Sequence, residues 1–111
     1  MDSTEVIRKY EMVMILDAKF TGEERDAKVK DVVDSISNDG GKVVNSQVWI
    51  EKQKFTFKIK KKTEGAYYLI NFEGPGSKLA KIQRNLRLKE DILRFSIALV
   101  GVHANVETVK S

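Results

Sequence analysis

Leu79-Ala-Lys-Ile-Gln-Arg-Asn-Leu-Arg-Leu-Lys-Glu-Asp-Ile-Leu-Arg-Phe95 changes its period part-way along. Leu79, Ile82 and Leu86 recur at helical spacing, with Lys78, Lys81, Arg84 and Arg87 on the remaining surface. Past Glu90-Asp91, Phe95, Ile97 and Leu99 alternate with Arg94, Ser96 and Ala98, the period of a strand with one covered face. A basic amphipathic helix thus feeds a half-buried strand that ends near Val100. Just upstream, Gly74-Pro-Gly76 breaks the chain, and Ser77 is the expected helix cap.

The same arrangement precedes it. Tyr10 to Leu16 is almost wholly apolar, as in a central strand. Thr21-Gly-Glu-Glu24 carries the spacing of a capping box, in which threonine and glutamate satisfy the free amides of a helix start. Val29, Val32, Val33 and Ile36 form one helical face, and Asp39-Gly40-Gly41 ends it. From Val43 the chain is extended. Phe55, Phe57 and Ile59 alternate with Lys54, Thr56, Lys58 and Lys60, Lys62-Thr-Glu-Gly65 reads as a hairpin turn, and Ala66 to Phe72 returns. The order β-α-β-β-α-β predicts an α+β, ferredoxin-like sandwich: a four-stranded antiparallel sheet with two helices on one face. The hairpin from about Lys42 to Phe72 is long enough to project as a basic ribbon.

Composition narrows the function. A chain of 111 residues makes one domain with its own core. The expected division is an extension over residues 1–7, the domain over 8–100 and a tail over 101–111. Cysteine is absent, which removes disulfides and thiolate metal sites and suits a reducing cytosol. No apolar run spans a membrane, and no secretion or transit signal is visible at the start. The formal charge of +4 conceals an asymmetry: residues 1–50 hold 7 Lys/Arg against 10 Asp/Glu, and residues 51–111 hold 13 against 6. A basic half of this kind fits a polyanion binder.

Chemistry for catalysis is not apparent. The single histidine, His103, reads as a surface residue of the tail, and the glycine pairs read as a helix stop and a turn. The chain is expected to be no enzyme and to use no metal, cofactor or small-molecule substrate. Cations are better placed. Lys52, Lys54, Lys58, Lys60, Lys61 and Lys62 crowd one hairpin, with Lys54, Lys58 and Lys60 sharing a strand face. They can neutralise phosphates or protect an edge strand from aggregation. Arg84, Arg87, Lys89 and Arg94 form a second cluster, either for phosphate contact or as solvated ends around an apolar face. Glu64 to Phe72, with Tyr67-Tyr68, comes close to the aromatic strand of RNA-recognition modules, although packing would also use those rings. Val48, Trp49 and Ile50 are consecutive apolar residues on a strand, so at least one must face away from the core or a bulge must absorb it.

From Arg8 to Val100 the chain resembles the bacterial small-subunit ribosomal protein six family. The resemblance rests on Arg8-Lys-Tyr-Glu11 before an apolar strand, Lys54-Phe-Thr-Phe-Lys-Ile59, Glu64-Gly-Ala-Tyr67, and Leu86-Arg87 to Leu93-Arg94. Departures fall on the second strand, where Glu51, Gln53, Thr56, Phe57 and Lys58 replace the family's usual glycine, arginine, alanine, tyrosine and proline. The resemblance implies a cytoplasmic, non-catalytic protein of the small subunit. It implies binding of the central domain of small-subunit ribosomal RNA together with small-subunit ribosomal protein eighteen, among other ribosomal proteins. It places RNA contacts on Arg8, Lys9, Tyr10, Lys52, Lys54, Arg87, Lys89 and Arg94; the expected docking patch for the partner is Val48, Trp49 and Ile50. A free-standing module binding single-stranded RNA, and a metabolite-sensing or oligomerising domain, are the other readings of the same fold.

Overall fold

Side-chain alternation decides which face of the sheet the helices cover. The computed structural model describes residues 6–104. In β1 (Val6–Asp17), Tyr10, Met12, Met14 and Leu16 point to the helix side and are buried. In β3 (Lys62–Pro75), Ala66, Tyr68, Ile70 and Phe72 do the same. Val32 and Ile36 of α1 (Gly22–Asn38) and Ile82 and Leu86 of α2 (Leu79–Arg87) close the core from above. Full burial of each large side chain contributes roughly 1.5–3 kcal/mol. With β2 (Lys42–Ile59) and β4 (Ile92–Ala104), the strands form one antiparallel sheet in the order β2-β3-β1-β4, the ferredoxin-like arrangement.

Local chemistry explains most boundaries. The Thr21 hydroxyl accepts from the Glu24 N–H at 3.2 Å, and the Thr21 N–H donates to Glu24 Oε1 at 2.8 Å. At the other end of α1, Gly40 takes φ 102, a conformation that glycine adopts without penalty. Ser77 does not cap α2. It lies in a 3-10 turn (Gly76–Lys78) in which the Leu79 N–H already reaches the Gly76 carbonyl, so the helix starts behind Lys78 without a side-chain cap.

The hairpin turn lies earlier than expected. β2 and β3 pair through Ile59 and Lys62, and the two loop residues are Lys60 and Lys61, at φ 50 and 68. Gly65 is therefore a strand residue. Its role is close approach, because a Cβ there would lie 2.6 Å from both Ile15 Cγ2 and Phe55 Cζ. Pairing of β3 with β1 stops at Asp17 and Gly65, so the hairpin beyond them extends past the sheet. The molecule measures 52 × 23 × 21 Å.

At the other end, β4 continues past Val100 to Ala104. Lys9 pairs with Gly101 and Tyr10 with Leu99, which leaves Val100 as the extra residue of a bulge. Residues 101–104 of the expected tail are thus strand, and Val6 and Ile7 of the expected extension belong to β1. The backbone of His103 pairs with Ile7; its side chain, residues 1–5 and residues 105–111 lie outside the description.

Candidate functional site

Two basic groups that lie far apart in the chain meet beside β4. Arg87 ends α2, and the connection to β4 is closed by backbone bonds from the Lys89 N–H to Leu86 at 3.1 Å and from the Ile92 N–H to Lys89 at 3.2 Å. Arg87 and Arg94 are exposed. Lys60 reaches over from the hairpin turn, and its ammonium donates to the Ile92 carbonyl at 3.1 Å. Lys60, Arg87, Lys89 and Arg94 line one cleft of about 310 Å³, floored by Leu86 and Ile92. Lys89 is partly neutralised there, with its ammonium 2.6 Å from Asp31 Oδ2. Strand alternation alone groups Lys60 with Lys54 and Lys58 on one face. The turn removes it from that face, and only the tertiary structure brings it to the arginines.

The remaining expected RNA residues are dispersed. Arg8 and Lys9 are exposed at the opposite end of β1 from Ile15, which pairs with Arg94. At strand rise the interval from Arg8 to Ile15 is roughly 23 Å. The Arg8 guanidinium lies against Gly76, where a Cβ would meet its Cζ at 2.8 Å. Tyr10 is the clear correction. It is only 3% exposed and its ring stacks on Phe72 with centroids 5.2 Å apart, so no face is left for a base. Lys52 and Lys54 are exposed on the ribbon, with Lys52 3.4 Å from Glu64.

The helix-free face of the sheet carries an aromatic cluster. Trp49 and Phe55 both meet Tyr67 edge-on, at 6.5 and 6.3 Å between ring centroids. Trp49 reaches Tyr67 because β2 bulges: Val48 pairs with Tyr68 and Ile50 with Tyr67, leaving Trp49 as the inserted residue. The apolar run is therefore divided. Trp49 is 59% exposed, Ile50 is half-buried opposite Tyr67, and Val48 lies in register with Tyr68 on the helix side. Tyr68 faces the core and its hydroxyl accepts from Arg25 Nε at 3.0 Å. A shallow hollow of about 360 Å³ beside the cluster is lined by Phe55, Phe57, Tyr67 and Arg94. Arg94 thus borders both the cationic cleft and the aromatic face.

Asp17, where pairing of β1 with β3 ends, holds the ribbon through Lys62 beside its turn. Burial raises this carboxyl, but the Lys19 N–H at 3.0 Å and the Lys62 ammonium at 3.1 Å outweigh it and hold the pKa below its ordinary value. A depressed folded-state pKa contributes stability that is present above the unfolded pKa and is lost as pH falls through the folded one. Asp17→Asn should therefore cost up to about 1 kcal/mol at pH 7. In urea unfolding the difference from wild type should shrink as pH falls through and below the ordinary carboxylate range; a difference that does not change with pH would contradict this reading. Among the described residues, no helix is long and apolar enough to cross a membrane, and no group of three or more His, Asp or Glu is placed to hold a metal.

Comparison with known proteins adds a consistent family. The model of the family described as Ribosomal protein S6 matches residues 9–98. The small ribosomal subunit protein bS6 of Dictyoglomus turgidum is 34% identical over 94 residues, covering 85% of this chain and 96% of that protein. The protein of the same name from Campylobacter curvus is 37% identical over 89 residues, covering 80% of this chain but 62% of its own longer one. The crystal structure of 30S ribosomal protein S6 from Thermotoga maritima superposes with a TM-score of 0.76 at 28% identity, covering 85% of this chain and 88% of that one.

Proposed function

Since this chain belongs to the ribosomal protein S6 family of the small ribosomal subunit, we propose that it binds the central domain of small-subunit ribosomal RNA jointly with small-subunit ribosomal protein eighteen. The observation that carries the reading is the position of Arg94, at the border of a cationic cleft and an exposed aromatic face. The cleft suits a phosphate backbone, which arginine contacts through its planar fork. The aromatic face suits a protein, because exposed apolar clusters on small domains mark interfaces. Trp49 is its anchor, with Ile50 beside it; Val48, expected in the same patch, faces the helix side and is no part of it.

A partner is needed on charge grounds. The net charge is only +4, α1 carries Glu23, Glu24, Asp26, Asp31 and Asp34, and Lys89 is engaged by Asp31. Few free cations remain at the cleft, so RNA affinity from this chain alone is weak and salt-sensitive. A second protein with its own cationic surface links two weak contacts into one event. Arg87 and Arg94 are the principal RNA residues in this reading; Arg8, Lys9, Lys52 and Lys54 are outlying contacts. The role is non-catalytic and cytoplasmic, within the assembled subunit and in contact with other ribosomal proteins. The free-standing RNA-module reading is weakened by Tyr10, because a ring partner for Tyr67 on β1 would have to face the open side of the sheet.

A tagged chain sedimented through a sucrose gradient should migrate with small ribosomal subunits and leave that fraction when magnesium is removed and the subunits unfold. Recovery wholly in the free-protein fraction of intact extracts would refute the assignment.

A further inference from the structure

The two-residue turn at Lys60-Lys61 is an unusual use of lysine. Positive φ at both loop positions is the signature of a type I′ hairpin turn, which favours asparagine and glycine. Side chains with a Cβ are disfavoured in this region, and lysine has no short polar group to bond locally as asparagine does. In this turn Lys60 points back toward the start of β4, 32 residues on in the chain, and donates to the Ile92 carbonyl. An ammonium has three donors, so this tether leaves two for a ligand. The Lys62–Asp17 pair at 3.1 Å fastens the same end of the ribbon from β3.

We propose that Lys60 is the third cation of a single phosphodiester site, formed with Arg87 and Arg94 in the cleft between the hairpin turn and the α2–β4 junction. The inference rests on the RNA-binding reading above and adds the hairpin tip to it. Lys60, Arg87 and Arg94 all border this cleft, and two arginine forks with one ammonium are a donor set suited to phosphate oxygens. Lys89 supplies donors but little net charge, because Asp31 already pairs with it. Lys58 and Lys61 do not line the cleft, although they lie within two residues of Lys60. The hairpin tip is therefore a specific contributor and not a diffuse basic patch.

The turn geometry supplies a clean test. Lys60→Asn removes the ammonium while installing a residue that tolerates the left-handed conformation, and Lys61→Gly relaxes the neighbouring position without touching the cleft. Binding of each variant to a central-domain ribosomal RNA fragment, with protein eighteen present, is titrated across salt concentrations. Lys60→Asn should bind about 5–10-fold more weakly at physiological salt and lose roughly one unit of salt slope. Lys61→Gly should stay within about twofold of wild type, since it removes no phosphate contact. Thermal unfolding should show neither variant less stable than wild type. If Arg87→Ala weakens binding while Lys60→Asn does not, Lys60 is no part of the site and the RNA reading survives. Equal losses from Lys60→Asn and Lys61→Gly would overturn the specific site in favour of a diffuse patch. If Arg87→Ala, Arg94→Ala and Lys60→Asn all bind like wild type, the cleft and the RNA face assigned above both fail.

Discussion

Trp49→Ala should weaken association with small-subunit ribosomal protein eighteen by about 30-fold or more, equivalent to about 2 kcal/mol. Few interface residues carry such a loss, and tryptophan is prominent among those that do. Trp49 has the required placement: a bulge lifts it out of the strand ladder, more than half of it is solvent-exposed, and Tyr67 fixes it edge-on from below. The fold itself should lose only about 0.5–1.5 kcal/mol, the worth of one aromatic pair. Leu99→Ala is a suitable control, because Leu99 is similarly exposed at 52% but lies near the far end of β4. Calorimetric titration of both variants with the partner reads the difference. An equal loss from both would remove the aromatic face as the docking surface.

Gly65→Ala should destabilise the fold by about 2 kcal/mol. The new methyl would meet Ile15 and Phe55 at 2.6 Å and the Leu16 carbonyl oxygen at 3.0 Å. Phe55 can swing away, but Ile15 is buried and the carbonyl belongs to the central strand. Relief therefore has to come from the backbone where β1 and β3 pair, at Asp17 and Gly65. The movement of Phe55 also removes one side of the aromatic cluster, so partner affinity should fall with stability. Urea unfolding should show a lower midpoint with an unchanged slope. A midpoint shift worth less than about 0.5 kcal/mol, the range of an ordinary surface substitution, would show that the strand interface is looser than these distances imply.

Local chemistry made much of the fold legible before any tertiary structure. Thr21 and Glu24 announce a helix start by spacing alone, and the alternation of Phe55, Phe57 and Ile59 announces a strand. The family itself was legible in the motifs from Arg8 to Arg94. Boundaries failed where a residue type serves two purposes. Gly65 resembles a turn glycine, yet glycine is needed there because two side chains press against it. The real turn is formed by two lysines, which local propensity argues against. Tyr10 illustrates a different limit: an apolar run from Tyr10 to Leu16 does not reveal which residues face the helices. The bulge at Trp49 was foreshadowed by three consecutive apolar residues, but its location was not. The cleft is the least legible feature, since it joins Lys60 to residues some thirty positions later through a turn that the sequence disguises.

Joint binding of RNA with a partner is the central claim, and a titration of the ribosomal RNA central domain at physiological salt bears on it most directly. This chain is added with and without small-subunit ribosomal protein eighteen. Alone it should bind weakly, and more weakly still as salt rises. With the partner, affinity should increase at least about tenfold, since the second contact becomes intramolecular. Tight binding of equal strength in both arms would contradict joint binding and favour a free-standing RNA-binding module.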